Sequence, residues 1–440
     1  MYKNFITSNR KYRKIAKKFL KYETSNMQPN IKIHWKDANN YTLTDRFGDK
    51  FIDFTSGIFA TNIGHKNKYL IKKISKVMNK GIFHSYNYFN DYREEYISKL
   101  IKFINKKKLN KCHLVSSGTE ATETALKLVK TYGKSKNKDK IGIICIKGNW
   151  HGRTVGSQML SGKNKQSEWI GYFDKDIYHI EFPYPWKIGK ISPEKFFYNS
   201  LKKRFKENFN FKKKITSIFL ESFQGWGAIF YPKNYVKAVE KFCKKNKILL
   251  CFDEMQSGFA RTGKKFGFEN YDVNPDLICC GKGMGSGFPL SGVITSDKII
   301  NNPLVSELSS THSANPIVCA AGIATLDEIK RKKLVKKSNL LGKLFHRELK
   351  LMKKNYNEII FETLGMGLIG SIIFRDCNDF KSKNIADHVS QECLSNGLLV
   401  CNTGRESIKL GPPLTISTSG IKKALKILDN AINKIRKTIC

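Results

Sequence analysis

The chain is poor in acid: 37 aspartates and glutamates stand against 79 lysines and arginines in 440 residues, a formal net charge of +42. A deficit of that size would by itself suggest nucleic acid or an anionic surface as partner. The lysines, however, run through the whole sequence interleaved with asparagine and isoleucine and form no single stripe, which points to a compositional bias and away from nucleic acid. Long apolar runs are also missing. Nothing approaches the roughly 20 residues that cross a bilayer, and the basic stretch Met1–Leu20 has no continuous apolar centre of the kind a secretory signal carries. No membrane partner is therefore expected. The 11 cysteines include no C-x-x-C spacing, and Cys145, Cys251 and Cys280 sit inside apolar runs. Reduced, buried thiols in a cytoplasmic protein are expected, without a zinc site or a disulfide framework.

What is present is the composition of a globular enzyme, with 40% hydrophobic and 12% aromatic residues and enough chain to bury a large core. Short apolar runs alternate with longer amphipathic ones. Lys140–Ile146, Ile215–Leu220, Ile248–Phe252 and Leu277–Cys280 read as strands buried on both faces, and Asn234–Asn246 places Tyr235, Val236, Val239 and Phe242 on one helical face. Such alternation predicts an α/β fold with a mostly parallel sheet and ligands at the strands' carboxyl ends. After Pro316 the chain turns to long lysine-rich helical stretches, Val318 to Lys354, and then to an extended run beyond Gly365–Gly370. Three parts are expected: a large domain over 57–315, a smaller one over 316–440, and an amino-terminal segment, 1–56, that joins the smaller one.

Four stretches carry candidate chemistry. Ser116-Ser117-Gly118-Thr119-Glu120-Ala121 follows the strand-like His113-Leu114-Val115 and opens a helix, so its free N–H groups and the helix dipole can cradle a phosphate. Ser117 and Glu120 equally read as a simple capping box. Trp150-His151-Gly152-Arg153-Thr154 sets an indole after a buried strand, where it either stacks on a flat heteroaromatic ring or anchors the surface. Asp253-Glu254-Met255-Gln256-Ser257-Gly258 ends an apolar strand, so the Asp253 carboxylate needs a partner to offset its desolvation or else caps a helix. Lys282 lies between glycines in Gly281-Lys282-Gly283, apart from the many solvated lysines. Desolvation there would lower its pKa as imine chemistry requires. A carboxylate and a glycine-flanked lysine, each at the end of a buried strand, suit an enzyme that uses pyridoxal 5′-phosphate.

Together with Thr311-His312-Ser313-Ala314-Asn315-Pro316, these stretches make the chain resemble, from about Phe51 to Ile416, the class III aminotransferases, the ω-amino-acid and ornithine transaminase group. The resemblance implies a fold-type I transferase with a seven-stranded, mostly parallel sheet and a smaller α+β domain. It implies pyridoxal phosphate held by Lys282 as an imine, Asp253 on the ring nitrogen, Gly118 and Thr119 on the phosphate, and Trp150 and Met255 on opposite ring faces. Gln256 would reach the phenolic oxygen, and Thr311 the phosphate in a neighbouring subunit, which makes an obligate homodimer with shared active sites. The expected reaction is ping-pong amino transfer from a small-molecule amine donor to a carbonyl acceptor.

Two departures bear on the substrate. Where many relatives carry a switch glutamate, Glu221-Ser222-Phe223-Gln224-Gly225-Trp226 presents Trp226. Where they carry a carboxylate-binding arginine, Ser407-Ile408-Lys409-Leu410 presents Lys409, with Arg405 upstream as a second candidate cation. A lysine attracts a carboxylate without the bidentate fork of arginine. Phe59, Tyr86, Trp226, Arg405 and Lys409 are the expected substrate-pocket residues, and an amino sugar, aminocyclitol, diamine or unusual amino acid is the expected substrate. Two rivals share the residues: an aminomutase of the glutamate-semialdehyde type, which needs no external acceptor, and a catalytically inactive basic binding protein, which needs neither Lys282 nor Asp253.

Overall fold

The computed structural model describes residues 33–439 apart from 163 and 305, together with residues 17, 18, 21, 22 and 24. Most of the basic stretch Met1–Leu20 thus lies outside the described residues.

Seven strands form the main sheet in the spatial order Lys111–Val115, Ser291–Thr295, Leu277–Cys280, Leu249–Asp253, Ile215–Glu221, Gly142–Ile146 and Ile177–Ile180. Ser291–Thr295 alone runs against the others. The apolar runs become strands without a solvent face: Gly142–Ile146, Ile215–Glu221, Leu249–Asp253 and Leu277–Cys280 are buried at every residue. Helices cover the sheet because a parallel sheet needs crossovers that return over its faces. Gly118–Lys136 lies on one side, burying Ala121, Ala125, Leu128 and Val129, and Lys233–Asn246 buries Tyr235, Val236, Val239 and Phe242 while its lysines face water. Register then sets the chemistry. Asp253 is paired with Glu221 on one side and with Cys279 on the other, so two strand-end carboxylates and the approach to Lys282 arrive at one edge.

Smaller sheets flank this core. Trp35–Asn39, Thr42–Asp45 and Lys50–Asp53 form one with Leu398–Leu399, so segments from near both ends of the described chain share hydrogen bonds. Ile360–Met366, Ile369–Phe374, Ser407–Leu410 and Cys401–Asn402 form another. The stretch read as continuously helical, Val318 to Lys354, is two helices, Pro316–Arg331 and Leu334–Asn355. Glu328 closes the first, taking Arg331 and Lys332 at 2.6 Å each, and Lys333 then turns the chain at φ +50°. The helix Pro316–Arg331 packs on helices Lys68–Asn79 and Asp91–Ile104 of the large layer.

The expectation of reduced thiols needs one correction. Cysteines 112, 145, 243, 251, 279, 280, 319, 393 and 401 are free, and all but Cys112 are buried, but Cys377 is disulfide-bonded. Cys377 lies in the half-buried turn bridged to Phe380, outside the apolar strands on which the expectation rested. No described helix is long and apolar enough to cross a membrane.

Candidate active site

The strand ends gather three ionisable side chains around the place where Lys282 enters. Asp253 is buried, and its Oδ2 accepts from His151 Nδ1 at 2.9 Å while Oδ1 accepts from the Met255 amide at 3.0 Å. Each oxygen keeps acceptor capacity for one more donor. His151 is itself pinned, its amide donating to Ser161 Oγ at 3.0 Å and its carbonyl accepting from Thr122 Oγ1 at 2.7 Å. Glu221 accepts the amides of Trp150 at 3.0 Å and Gly225 at 3.1 Å, and so ties the indole-bearing loop to the turn that carries Trp226. Burial pushes the Glu221 carboxyl up to about 7, opposed by the nearby His151 and reinforced by Asp253.

Lys282 follows the strand Leu277–Cys280 in a single tight turn at φ +40°, a region that L-residues adopt only when their surroundings impose it. Burial lowers its pKa, and Asp253 and Glu221 pull it back up. Its amine takes part in none of the hydrogen bonds and ion pairs among the described residues. Met255 packs between this turn and the helix start: a Cβ on Gly118 or Gly281 would approach its sulfur to 2.9 or 2.6 Å. Both glycines are therefore needed for close approach, whatever their backbone freedom.

At the start of Gly118–Lys136 the capping box is present, with Ser117 and Glu120 satisfying each other's amides. The cap takes the Glu120 amide and the Ser117 carbonyl takes that of Ala121 at 3.1 Å, while the Gly118 and Thr119 N–H groups, one position earlier, have no intrahelical acceptor. The capping box thus leaves these two amides available to an anion. Thr119 Oγ1 lies 2.8 Å from both Thr154 Oγ1 and Ser157 Oγ, so hydroxyls cluster beside those amides. A helix start with two amides lacking intrahelical acceptors, a buried carboxylate with spare acceptor capacity and a lysine of lowered pKa fit the phosphate, the ring nitrogen and the carbonyl of pyridoxal phosphate.

On the substrate side the cations have unequal roles. Lys409 is buried and donates to the Gly225 carbonyl at 2.7 Å and to Gln256 Oε1 at 3.0 Å, with its ammonium 5.0 Å from the Phe59 ring centre. Arg405 is exposed and stacks its guanidinium 3.7 Å from the centre of the Trp226 ring, steadied by Glu406 at 3.1 Å. The Trp226 indole is fixed in turn by Gln224 Oε1, which also accepts from the Tyr184 hydroxyl at 2.7 Å. Trp150 carries Arg153 over its ring at 4.6 Å.

The structure thus brings Asp253, Met255, Gly118, Thr119, Trp150 and Lys282 to one strand-end pole, and Gln256, Lys409, Phe59, Trp226 and Arg405 to the adjoining mouth. Tyr86 and Thr311 are elsewhere. Tyr86 stacks on His84, whose Nε2 bonds the Thr311 carbonyl at 2.7 Å, and Thr311 is exposed. Two site residues received no role from the sequence: His151 and Glu221. Both stood within quoted motifs. The signal for Glu221 is that its apolar run, like that of Asp253, ends in an acid, and parallel register puts such ends side by side.

Comparison with known proteins identifies the family. The family model described as Aminotransferase class-III matches residues 24–432. An acetylornithine aminotransferase of Caldanaerobacter subterraneus is 31% identical over 397 residues, covering 89% of this chain and 92% of its own. A putrescine aminotransferase of Pectobacterium atrosepticum is 27% identical over 415 residues, covering 92% and 84%. The crystal structure of a transaminase from the marine bacterium Virgibacillus superposes with a TM-score of 0.87 at 27% identity, covering 97% of this chain and 100% of that one.

Proposed function

The chain belongs to the class III aminotransferases and is a pyridoxal-phosphate-dependent transaminase, and from that premise we propose that it takes a terminal primary amine as donor and reads a substrate carboxylate with Arg405. The observation that carries this is the difference between the two cations of the mouth. Lys409, at the position where relatives bind a carboxylate, is committed to Gly225 and Gln256, whereas Arg405 presents its fork from the Trp226 ring. Acetylornithine and putrescine, named by the relatives, both offer an amine at the end of an unbranched chain.

Bound at the pole, pyridoxal phosphate supplies an electrophilic carbon and a ring that takes up the electrons released when the substrate's proton leaves. Gly118 and Thr119 hold the phosphate with their amides. Asp253, oriented by His151, keeps the ring nitrogen protonated. Lys282, its pKa lowered by burial, would be the residue that holds the cofactor's carbonyl end, and its amine would take the proton from the substrate carbon that bears the amine and return it. Trp150 and Met255 confine the ring between them, and Gln256 donates to the phenolic oxygen. Glu221 holds the Trp150 loop against the Gly225 turn.

Two copies make the enzyme. Exposed Phe83, Tyr88 and Phe89 lie in the segment tied to the Thr311 loop through His84, and a cluster of exposed aromatics is more than a monomer ordinarily shows water. Thr311 from each subunit would face the other's phosphate. Sedimentation velocity checks this: a dimer is expected, and a monomer with full activity overturns it.

Half-reaction spectroscopy across acetylornithine, putrescine, amino sugars and γ-aminobutyrate tests the substrate reading. Fast conversion by the diamine or the acylated ornithine is expected. Conversion of α-amino acids such as glutamate, and of no terminal amine, would sink the proposal.

A further inference from the structure

Lys409 occupies a position with more constraint than a substrate anchor requires. Its ammonium has only donors, so the end of the Gln256 amide that faces it at 3.0 Å is the carbonyl oxygen. The other end of Gln256 is then the NH2 group. A second bond, to the Gly225 carbonyl at 2.7 Å, fixes the ammonium against the turn that precedes Trp226. A third contact comes from Phe59, 5.0 Å away and itself locked, because it sits at φ +67° and a Cβ on Gly411 would collide with its ring. An arginine here would be longer and would carry its charge past Gln256 toward the mouth. The lysine stops short, beside the amide.

We propose that Lys409 is a positioning residue for the cofactor end of the site: it orients Gln256 as a donor toward the ring's phenolic oxygen and does not bind the substrate carboxylate. This rests on the assignment of Lys282 and Gln256 given above. Two effects then act in one direction on the group that Lys282 forms with its ligand. A donor at the phenolic oxygen favours the oxyanion when the neighbouring nitrogen has lost its proton, and a nearby cation disfavours a protonated nitrogen outright. Lys409 therefore holds the pH midpoint of the visible absorbance change in the substrate-free holoenzyme low. Asp253, His151 and Glu221, the other ionisable groups at this pole, remain in place when Lys409 is replaced.

The test is a spectrophotometric pH titration of substrate-free holoenzyme, wild type against Lys409→Met, Lys409→Arg, Gln256→Leu and the Lys409→Met/Gln256→Leu pair. Lys409→Met should raise the midpoint by about one unit, Lys409→Arg should leave most of that rise in place because its charge passes Gln256, and Gln256→Leu alone should raise it. In the Gln256→Leu background, Lys409→Met should add less than it does alone, as expected when one of its two effects runs through Gln256. An unchanged midpoint in Lys409→Met, with KM raised only for carboxylate-bearing amines, overturns the inference in favour of a substrate anchor. So does a shift of the same size with Gln256 absent. If Lys409→Met fails to retain cofactor, Gln256→Leu decides: no shift there overturns the inference as well. A wild-type holoenzyme without any pH-dependent visible band contradicts the Lys282 assignment itself, whereas a normal band that ignores Lys409 and Gln256 contradicts this inference alone.

Discussion

The strand-end pole and the mouth of this site are built on opposite plans. At the pole, Asp253, His151 and Glu221 are almost wholly buried: Asp253 and Glu221 end paired strands, His151 bonds Asp253 from a loop, and Glu221 holds the Trp150 amide of that loop. At the mouth, Arg405 is exposed and held by stacking and a neighbouring carboxylate, on a turn between short strands of a smaller sheet. A group that must act on every substrate gains from rigidity, since a misplacement there lowers every rate. A group that reads one end of one substrate gains from access. Trp226 and Lys409 stand between the two plans: Glu221 ties the Gly225 turn to the pole, and Lys409 donates to the same turn and to Gln256.

Substitutions at the two regions should therefore fail in different ways. The largest loss is expected for Lys282→Ala, with kcat down at least about 10³-fold for all amines, measured in single-turnover half-reactions. Asp253→Asn follows at about 10²-fold in kcat, again regardless of the amine and with cofactor content retained. Arg405→Ala should leave kcat within a few-fold and raise KM about 10- to 100-fold for carboxylate-bearing substrates, with putrescine hardly affected. If Arg405→Ala lowers kcat for every amine alike, the division between the regions is wrong.

The smallest effect concerns pH. Burial raises the Glu221 carboxyl from the ordinary carboxylate range to about 7. The native protein thus holds that proton more tightly than the unfolded chain does. The resulting stability is complete below the unfolded value and is lost as pH rises through about 7. Thermal unfolding of cofactor-free protein from pH 5 to 8 should show a fall that is shallower in Glu221→Gln; an equal slope in both would contradict the burial argument.

Much of the pole was legible because it rests on local signals. Leu249–Asp253 and Leu277–Cys280 announce themselves as continuous apolar runs, and the glycines around Lys282 and at Gly118 stand out against a lysine-rich chain. The role of His151 is not legible, since it depends on a loop that meets Asp253 from 102 residues away. The antiparallel strand Ser291–Thr295 was missed for a similar reason: nothing in five buried residues states the direction in which they pair. Lys409 illustrates the limit best. Its sequence neighbours suggest an anion site, but its partners are the Gly225 carbonyl, 184 residues away, and Gln256, 153 residues away, and only packing reveals that it faces inward.

The account stands on Lys282 as the lysine of the pole, in a chain where lysines and arginines number 79. Borohydride reduction of the holoenzyme, followed by proteolysis and mass spectrometry, tests it most directly. The cofactor mass is expected on the peptide containing Gly281-Lys282-Gly283 and on no other. A label carried by a different lysine, or no label on a protein that still transfers amino groups, would contradict it.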